Sequence, residues 1–196
     1  MSVAPTRRGG GLVLTGRNTV DIGVDLSDLD DLLQEWGDAV EGATRPAAQV
    51  AAQVVYDRVE TNVAAIGYVT GNLRQSIYQA FSETHSSDGI ATYHISWNHK
   101  KAPHGHLLEN GHWQRYAVRI TEDGWRTLVR PEKQGTKKPG RRASQAEKDA
   151  YYVPRPGGPV YIPGKAFLRR ASVVAPQATH AAREVLLAAI AEVSNG

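Results

Sequence analysis

A run of small apolar residues at helical spacing, between positions 44 and 67, constrains the fold of this chain more than any other feature of its sequence. The residues Ala48, Ala52, Val55, Val59, Val63 and Ile66 recur every three or four positions. This spacing predicts an amphipathic helix that opens at Thr44 and Pro46, since proline is tolerated in a first turn, and ends at Gly67. Because the sequence has only two Phe and one Met, Val, Ala, Leu and Tyr must build the core. A helix with such short side chains can lie close against a sheet.

The other segments alternate between helical and β-like patterns. Ser27 is a suitable N-cap for an earlier helix, whose apolar stripe consists of Leu29, Leu32, Leu33, Trp36 and Val40. β-branched and aromatic residues predict a short strand at 19–26 and four further strands at 73–82, 90–97, 113–120 and 125–129. A short helix is predicted at 102–110, and a final helix at 165–193 with a kink at Pro176. This order predicts an α+β fold, in which long helices pack on a four-stranded, mainly antiparallel sheet and a C-terminal helix follows.

The length of 196 residues suits one domain. Residues 1–18 are rich in Gly and Arg and lack apolar periodicity, which predicts a flexible N-terminal arm. Residues 19–196 are predicted to form a single α+β domain. Within that domain, residues 131–149 are polar, basic and aperiodic, which predicts a mobile loop insertion.

Several function classes lack their sequence signals. The chain has no cysteine, which excludes disulfides, a thiolate nucleophile and cysteine-ligated metals. The Gly-x-Ser-x-Gly motif and the phosphate-binding glycine patterns are absent. The start MSVAPTRRGGG lacks the apolar segment of a secretory signal, and no apolar run reaches the ~20 residues of a membrane-spanning helix. We therefore expect a protein without cofactor, membrane segment or enzymatic activity.

Histidines are concentrated in one stretch of nineteen residues, at His94, His99, His104, His106 and His112. His104-Gly-His106 with Glu109 has the donor types of a metal site, since imidazoles and carboxylates bind zinc. An i, i+2 pair converges on one ion from an extended segment, however, whereas Pro103 predicts a turn that enters a helix. The run from His94 to His99 is comparable with nuclease finger motifs, but the residues after it disfavour the helix that such motifs need. Loop or interface histidines are favoured, and a histidine-metal nuclease or hydrolase stays as an alternative.

Charge is distributed unevenly along the chain, although the net charge is only +3. Eight acidic residues and no Lys or Arg lie between Asn18 and Thr44, whereas twelve basic and five acidic residues lie between His99 and Lys148. Such asymmetry can serve nucleic acid or contacts between copies with opposite charges, and two solvated faces are the simplest explanation. The candidate interface or DNA-facing residues are Asp28, Asp30, Asp31, Arg115, Arg119, Arg126, Arg130, Lys137, Lys138, Arg141 and Arg142.

The basic segment 126–148 could follow phosphates without reading sequence, because Lys and Arg release counterions when they bind DNA. No aromatic residue lies between Lys133 and Lys148, so base stacking is not expected from that stretch. A sequence-independent DNA-binding protein is therefore a second alternative.

Three short blocks carry a family resemblance. They are Thr70-Gly-Asn-Leu-Arg-Gln-Ser-Ile77, Ala102-Pro-His-Gly-His-Leu-Leu-Glu-Asn-Gly-His112 and Pro163-Gly-Lys-Ala-Phe-Leu-Arg-Arg-Ala171. In this order and spacing the chain resembles, over residues 44–190, the tailed-phage neck and tail-completion family, which includes minor-tail-protein-Z-like proteins. The chain departs from the family pattern at Ala166 and Arg170, where the family often has Pro, and in its long insertion at 131–149.

The residues that match the family motifs are expected to be scaffold residues: Thr70, Gly71, Leu73, Ser76, Ile77, His106, Leu107, Glu109, Gly111, His112, Pro163, Phe167, Leu168 and Ala171. Gly71 permits a tight turn between helix and strand. Glu109 and Gly111 close a short helix where glycine can adopt a positive φ. Phe167 and Leu168 would anchor the final helix against the sheet.

The resemblance implies a structural virion protein that works by assembly and has no cofactor. It implies a homo-oligomeric ring, expected to be a hexamer, between the head-side connector or stopper and the tail terminator or tail tube, with genomic DNA in its lumen. The implied location is the virion neck, after assembly in the host cytoplasm and without a membrane. In a closed ring of heterologous contacts, the acidic region 21–41 of one copy could meet the basic region 115–148 of its neighbour.

Overall fold

The main sheet has four strands, β1 (Gly11–Val13), β2 (Val20–Asp25), β3 (Ile77–Phe81) and β4 (Ile90–Trp97). They belong to a computed structural model that describes residues 11–13, 20–25, 37–67 and 70–194. The strand order is β1-β2-β4-β3, and every neighbouring pair is antiparallel. Together with the helices, this sheet confirms the predicted α+β class.

The strands of this sheet differ from those expected. Predicted strands 113–120 and 125–129 do not join it, and β1 and β2 take their places. Gly11–Val13 therefore belongs to the sheet and not to the flexible arm predicted for residues 1–18; the remainder of that arm lies outside the described residues. The sequence 11–13 is too short for periodicity to distinguish a strand from a linker, and β1 depends on pairing with β2.

One long helix, α1 (Gly37–Ile66), packs on this sheet. It buries a stripe of small residues, Val40, Ala43, Ala47, Ala48, Ala51, Ala52, Val55, Val59 and Val63. The predicted stripe is confirmed, but the predicted start near Thr44 and Pro46 is wrong, because α1 runs through both. Pro46 is exposed and lacks one backbone bond, at a cost of about 3 kcal/mol that burial of the flanking alanines offsets. The earlier helix predicted from Ser27 falls largely on residues 26–36, which lie outside the described ranges.

After β4 the chain forms a short helix, α2 (Gly105–Asn110), which ends at Gly111 as predicted; the φ of Gly111 is +80°. Residues 111–163, here named the basic lobe, then leave the sheet and return. The lobe begins with β5 (Gly111–Gln114) and ends with β8 (Val160–Pro163), and these two strands pair with each other. Between them lie the hairpin of β6 (Val118–Thr121) and β7 (Gly124–Thr127) and the helix α3 (Gln145–Tyr151).

The structure corrects two predictions in the basic lobe. The strand expected at 113–120 is divided between two ribbons, so only the turn at 122–124 and its flanking strands match the predicted hairpin. The insertion 131–149 is not all loop, because residues 131–133 form a 3-10 turn and α3 begins at 145. Ser144 caps α3 in a capping box: its Oγ accepts the N–H of Glu147, and its own N–H donates to the Glu147 carboxylate.

The last described helix, α4 (Ala175–Ser194), follows a 3-10 turn at Arg169–Val174. The predicted start near Lys165 is therefore wrong, and Pro176 lies in the first turn of α4, where its missing N–H costs little. Ala178, Ala182 and Leu186 of α4 are buried, and α4 packs along α1. Small side chains on both helices allow this close packing. None of the helices within the described ranges is long and apolar enough to cross a membrane.

Candidate functional site

The three sequence blocks meet around the buried indole of Trp97. Ile77 of the first block is its neighbour across β3 and β4. Ala102 of the second block accepts a hydrogen bond from Trp97 Nε1 at 3.1 Å. The ring of Phe167, from the third block, lies edge-on with its centroid 5.5 Å from that of Trp97. We name this meeting point of the three blocks the motif junction.

Glycine is required where α2 crosses Trp97. A Cβ on Gly105 would lie 2.3 Å from Trp97 Nε1, so no larger residue fits there without moving the indole. The first block is shaped by Gly71, whose φ is +74°, and by Ser76, whose Oγ donates to Leu73 O at 2.7 Å. The backbone of Ser76 also accepts the N–H of Asn98 at 2.8 Å, which fixes the entry to β3.

Glu109 joins the second block to the third. Its side chain is only 1% exposed. The carboxylate accepts the backbone N–H of Leu168 at 2.9 Å and both the backbone N–H and the Nε–H of Arg169 at 3.2 Å. These bonds occupy backbone donors at the start of the 3-10 turn 169–174, as an N-cap does. Glu109 is thus the polar centre of the motif junction.

The chain enters the basic lobe at Gly111 and leaves it at Gly164, and these two crossing points are tightly packed against each other. A Cβ on Gly164 would lie 2.5 Å from Glu109 O. Lys165 and Ala166 donate their N–H groups to Leu108 O and Glu109 O. Ala166 has a φ of +50°, a left-handed conformation at one of the two positions where the chain departs from the family pattern.

The other motif residues have varied surroundings. Leu168 and Ala171 are buried in the core, whereas Leu107 is half-buried and Pro163 is exposed at the end of β8. Thr70 lies against the hairpin of the basic lobe, with its Cγ2 3.2 Å from the position of a Cβ on Gly124. The first block therefore contacts the lobe as well as the core.

The histidines do not gather into one site. His106 is exposed, and its Nδ1 lies 2.8 Å from Pro103 O. Burial, and secondarily the nearby His106, lowers the pKa of His104. His99 packs against the Trp97 indole, and His94 packs edge-on against the ring of His85. Within the described ranges no group of three or more His, Asp or Glu side chains is arranged to hold a metal ion, and the Glu109 carboxylate is directed toward Leu168 and Arg169.

All eight basic residues of the predicted interface lie in the basic lobe, which contains eleven Lys and Arg and five Asp and Glu. Arg119 and Arg126 face each other across the β6–β7 hairpin, and Arg126 pairs with Asp123 at 3.2 Å. Arg130 has an internal role, because its Nε donates to the carbonyl oxygens of Asp149 and Tyr152. The exposed residues Arg115, Lys137, Lys138, Arg141 and Arg142 form no ion pair with any described carboxylate.

A hydrogen-bond network orders the lobe around α3. Tyr116 Oη donates to Asp149 Oδ1 at 2.8 Å, and Gln145 Nε2 donates to the same oxygen at 2.7 Å. The bond from Tyr116, followed by that from Gln145, lowers the pKa of Asp149. Ser144 likewise lowers the pKa of Glu147 through its backbone and hydroxyl bonds. The lobe is therefore a folded unit with its own polar contacts.

Large apolar side chains on the lobe surface were not predicted from the sequence as functional residues. Trp113 is 62% exposed, Ile120 58%, Trp125 60% and Tyr161 48%. They form two cross-strand pairs, Trp113 with Tyr161 on the β5–β8 ribbon and Ile120 with Trp125 on the hairpin. Their strand-like spacing was the available signal, but a sequence pattern alone does not show which face of a strand is solvent-exposed.

The acidic side of the predicted contact is described only in part. Asp28, Asp30 and Asp31 lie outside the described residues, and Glu41 is exposed on α1. Comparisons of the chain with known protein families, with curated proteins and with solved structures find no match.

Proposed function

We propose that this protein is a structural component of the neck of a tailed phage, where it completes the tail for attachment to the head. It would form a homo-oligomeric ring around the DNA channel, between the head-side connector and the tail terminator or tail tube. Its activity would be assembly through complementary surfaces and would involve no chemical turnover.

The observation that supports this proposal most is the motif junction. The three blocks that carry the family resemblance are far apart in the sequence, yet all contact Trp97 or its immediate surroundings. Their meeting at one packed site is what a shared scaffold would produce.

The surroundings of the motif residues also favour a scaffold role over catalysis. Glu109 is buried and its carboxylate accepts three hydrogen bonds from Leu168 and Arg169. A general base must reach a substrate proton, and Glu109 has no such access. We expect the purified protein to show no nuclease, protease or cell-wall hydrolase activity. A chelator-sensitive activity that disappears in His106→Ala would contradict the proposal.

The decisive experiment is an amber mutation in the gene of the intact phage. Without the protein, we expect DNA-filled heads and separate tails to accumulate, and electron microscopy of the lysate would count both. Complementation with the wild-type gene from a plasmid should restore joined particles. If heads and tails join normally in the mutant, the neck function is wrong.

Charge reversal tests the contact between copies. Like charges that face each other across an interface can cost several kcal/mol, so replacing Asp28, Asp30 and Asp31 by Lys should block joining. Reversal of Arg119 and Arg126, which are exposed on the hairpin, should partly restore it. If the acidic residues are merely solvated, the triple reversal would leave joining unchanged.

A second candidate function is sequence-independent DNA binding by the lobe. It is favoured by four exposed cations in one short segment, Lys137, Lys138, Arg141 and Arg142, that lack ion-pair partners among the described residues. The affinity of the isolated protein for duplex DNA should then fall steeply with salt. Replacing all four residues by Gln should reduce the salt dependence, whereas a neck subunit that contacts protein would show weak DNA affinity before and after the change.

A further inference from the structure

We propose that the basic lobe docks on a second copy of this chain, with the cross-strand pairs Ile120–Trp125 and Trp113–Tyr161 as its apolar anchors. This inference deepens the ring assembly proposed above and rests on it. It assigns the contact to the apolar faces of two ribbons, in addition to the charged residues considered so far.

The first observation is the orientation of the β5–β8 ribbon. Side chains of directly paired residues in an antiparallel ribbon lie on the same face, and successive residues alternate between faces. His112 and Ile162 are half-buried on one face, whereas Trp113 and Tyr161 are exposed on the other. The outer face therefore carries the larger aromatic residues. In an ordinary half-buried ribbon the large apolar side chains lie on the inner face.

The second observation is that the β6–β7 hairpin is exposed on both faces. Ile120 and Trp125 lie on one face and Arg119 and Arg126 on the other, and all four residues are exposed. A two-stranded ribbon is at best marginally stable in water. Thr70 lies beside the tip of the hairpin, with its Cγ2 3.2 Å from the position of a Cβ on Gly124, and the apolar face stays uncovered by the described residues.

The amount of apolar surface suits a protein interface. Trp and Tyr side chains bury about 150–250 Å² each, so four side chains that are roughly half exposed present on the order of 400 Å². A standard interface buries about 800 Å² per partner. The two pairs would thus supply about half of one partner's contact, and charged residues of the lobe would supply the rest. Exposed aromatic residues such as Trp and Tyr are enriched in protein interfaces and among their hot spots.

Charge complementarity identifies a second copy as the partner. The basic lobe has a net charge of +6, from eleven Lys and Arg and five Asp and Glu. The rest of the chain has twelve basic and fifteen acidic residues, a net charge of −3, and residues 18–66 alone contain ten acidic and two basic residues. Each copy therefore carries oppositely charged segments that could meet between copies, and heterologous contacts form a ring when the rotation between copies closes.

The same geometry disfavours single-stranded nucleic acid as the occupant. Proteins that bind single strands combine aromatic stacking with nearby cations along one groove. On this hairpin the aromatic face and the arginine face are opposite, so one strand could not stack on Trp125 while its phosphates contact Arg119 and Arg126. A protein surface can cover the apolar face alone.

The test measures self-association of the full chain by sedimentation equilibrium at near-physiological salt. We expect the wild type to associate, and Ile120→Thr combined with Trp125→Ser to raise the dissociation constant at least tenfold. Leu187→Ser on α4 is the matched control, because Leu187 is also an exposed apolar residue, at 46%, and lies outside the lobe. Circular dichroism should show the same folded spectrum for all three proteins.

Each other outcome is decisive. A wild type that stays monomeric at the highest accessible concentration overturns the proposal, as does a double variant that associates like the wild type. Loss of affinity for a poly-dT oligonucleotide in the double variant, with unchanged association, would assign the surface to nucleic acid instead. In the phage, normal joining without the gene refutes the neck function, whereas a required gene that the double variant fully complements refutes only this surface.

Discussion

Replacing Glu109 by Gln should destabilise the protein strongly, because Glu109 is the polar centre of the motif junction. Its carboxylate is buried and accepts two backbone N–H groups and one Nε–H. Glutamine has nearly the same shape, but its amide places an NH₂ group where one oxygen accepted a bond. At least one buried N–H then loses its acceptor, and the remaining bonds lose their negative charge.

The magnitude follows from these contacts. A hydrogen bond to a charged group contributes about 1.5–3 kcal/mol. The ion pair with Arg169 is open to solvent on one side only, since the Arg169 side chain is 52% exposed and that of Glu109 1%, and it adds on the order of 1 kcal/mol. We therefore expect Glu109→Gln to lower the free energy of unfolding by about 3 kcal/mol, a large part of the ~5–15 kcal/mol typical of a domain. At about 2–4 °C per kcal/mol for a chain of this size, Tm should fall by roughly 6–12 °C.

Urea denaturation followed by circular dichroism measures this effect, and two variants serve as comparisons. Arg169→Gln removes the ion pair and the bond from Arg169 Nη2 to Glu109 O but keeps the two backbone bonds to the carboxylate, so it should cost about 1–2 kcal/mol, less than Glu109→Gln. Glu184→Gln changes an exposed carboxylate 3.9 Å from His180 and should change stability by less than about 0.5 kcal/mol. If Glu109→Gln behaves like Glu184→Gln, the carboxylate does not hold the two blocks together and the scaffold assignment of Glu109 is wrong.

Three further predictions concern the lobe and its base. Gly164→Ala would place a methyl group 2.5 Å from a backbone oxygen and should cost about 1–3 kcal/mol in urea denaturation, whereas Gly140→Ala, with open space around it, should be nearly neutral. Exchange of residues 137–142 for a Gly-Ser linker of equal length should change Tm very little, while head–tail joining or DNA affinity falls; a large loss of Tm would show that the segment is packed. The pKa values of Glu147 and Asp149 in the folded protein are below their ordinary 4.5 and 3.8. Their stabilisation of α3 should therefore be present above pH 4.5 and lost as the pH falls through the lowered values. Amide-exchange protection factors in 145–151, corrected for the intrinsic rate at each pH, that stay unchanged on acidification would contradict this.

Hydrophobic periodicity predicts those helices and strands that are long enough to show a clear pattern in their own residues. The Ala and Val stripe of α1 and the alternating residues of β4 are long enough for a local pattern to be unambiguous. The sequence predicts too late a start for α1 because Pro46 and Gly42 are local helix breakers, and burial of the alanines around them overrides that effect. Strand β1 has three residues, and such a strand exists only through its pairing.

The residues of the candidate surfaces also divide into those that the sequence alone predicts and those whose exposure depends on the fold. The basic residues of the lobe could be predicted by counting charges, because charge does not depend on the fold. The exposure of Trp113 and Trp125 could not be predicted from the sequence, because it depends on which face of each ribbon lies against the body. The capping box at Ser144 and Glu147 is present in the sequence as Ser-x-x-Glu, but the basic, polar and aperiodic segment around it favours a loop prediction.

The basic lobe is connected to the rest of the protein only where the chain enters and leaves it, so its length can change without affecting the core. The chain enters at Gly111 and leaves at Gly164, two residues whose Cβ positions are blocked by the opposite crossing. The short β5–β8 ribbon therefore separates any insertion or deletion between these two residues from α1, α4 and the main sheet. Insertions within the lobe need only a modest additional loop entropy and no adjustment of the core. A related chain could thus exchange its lobe for one of a different length or charge, and so change the surface that it presents, while keeping the same scaffold.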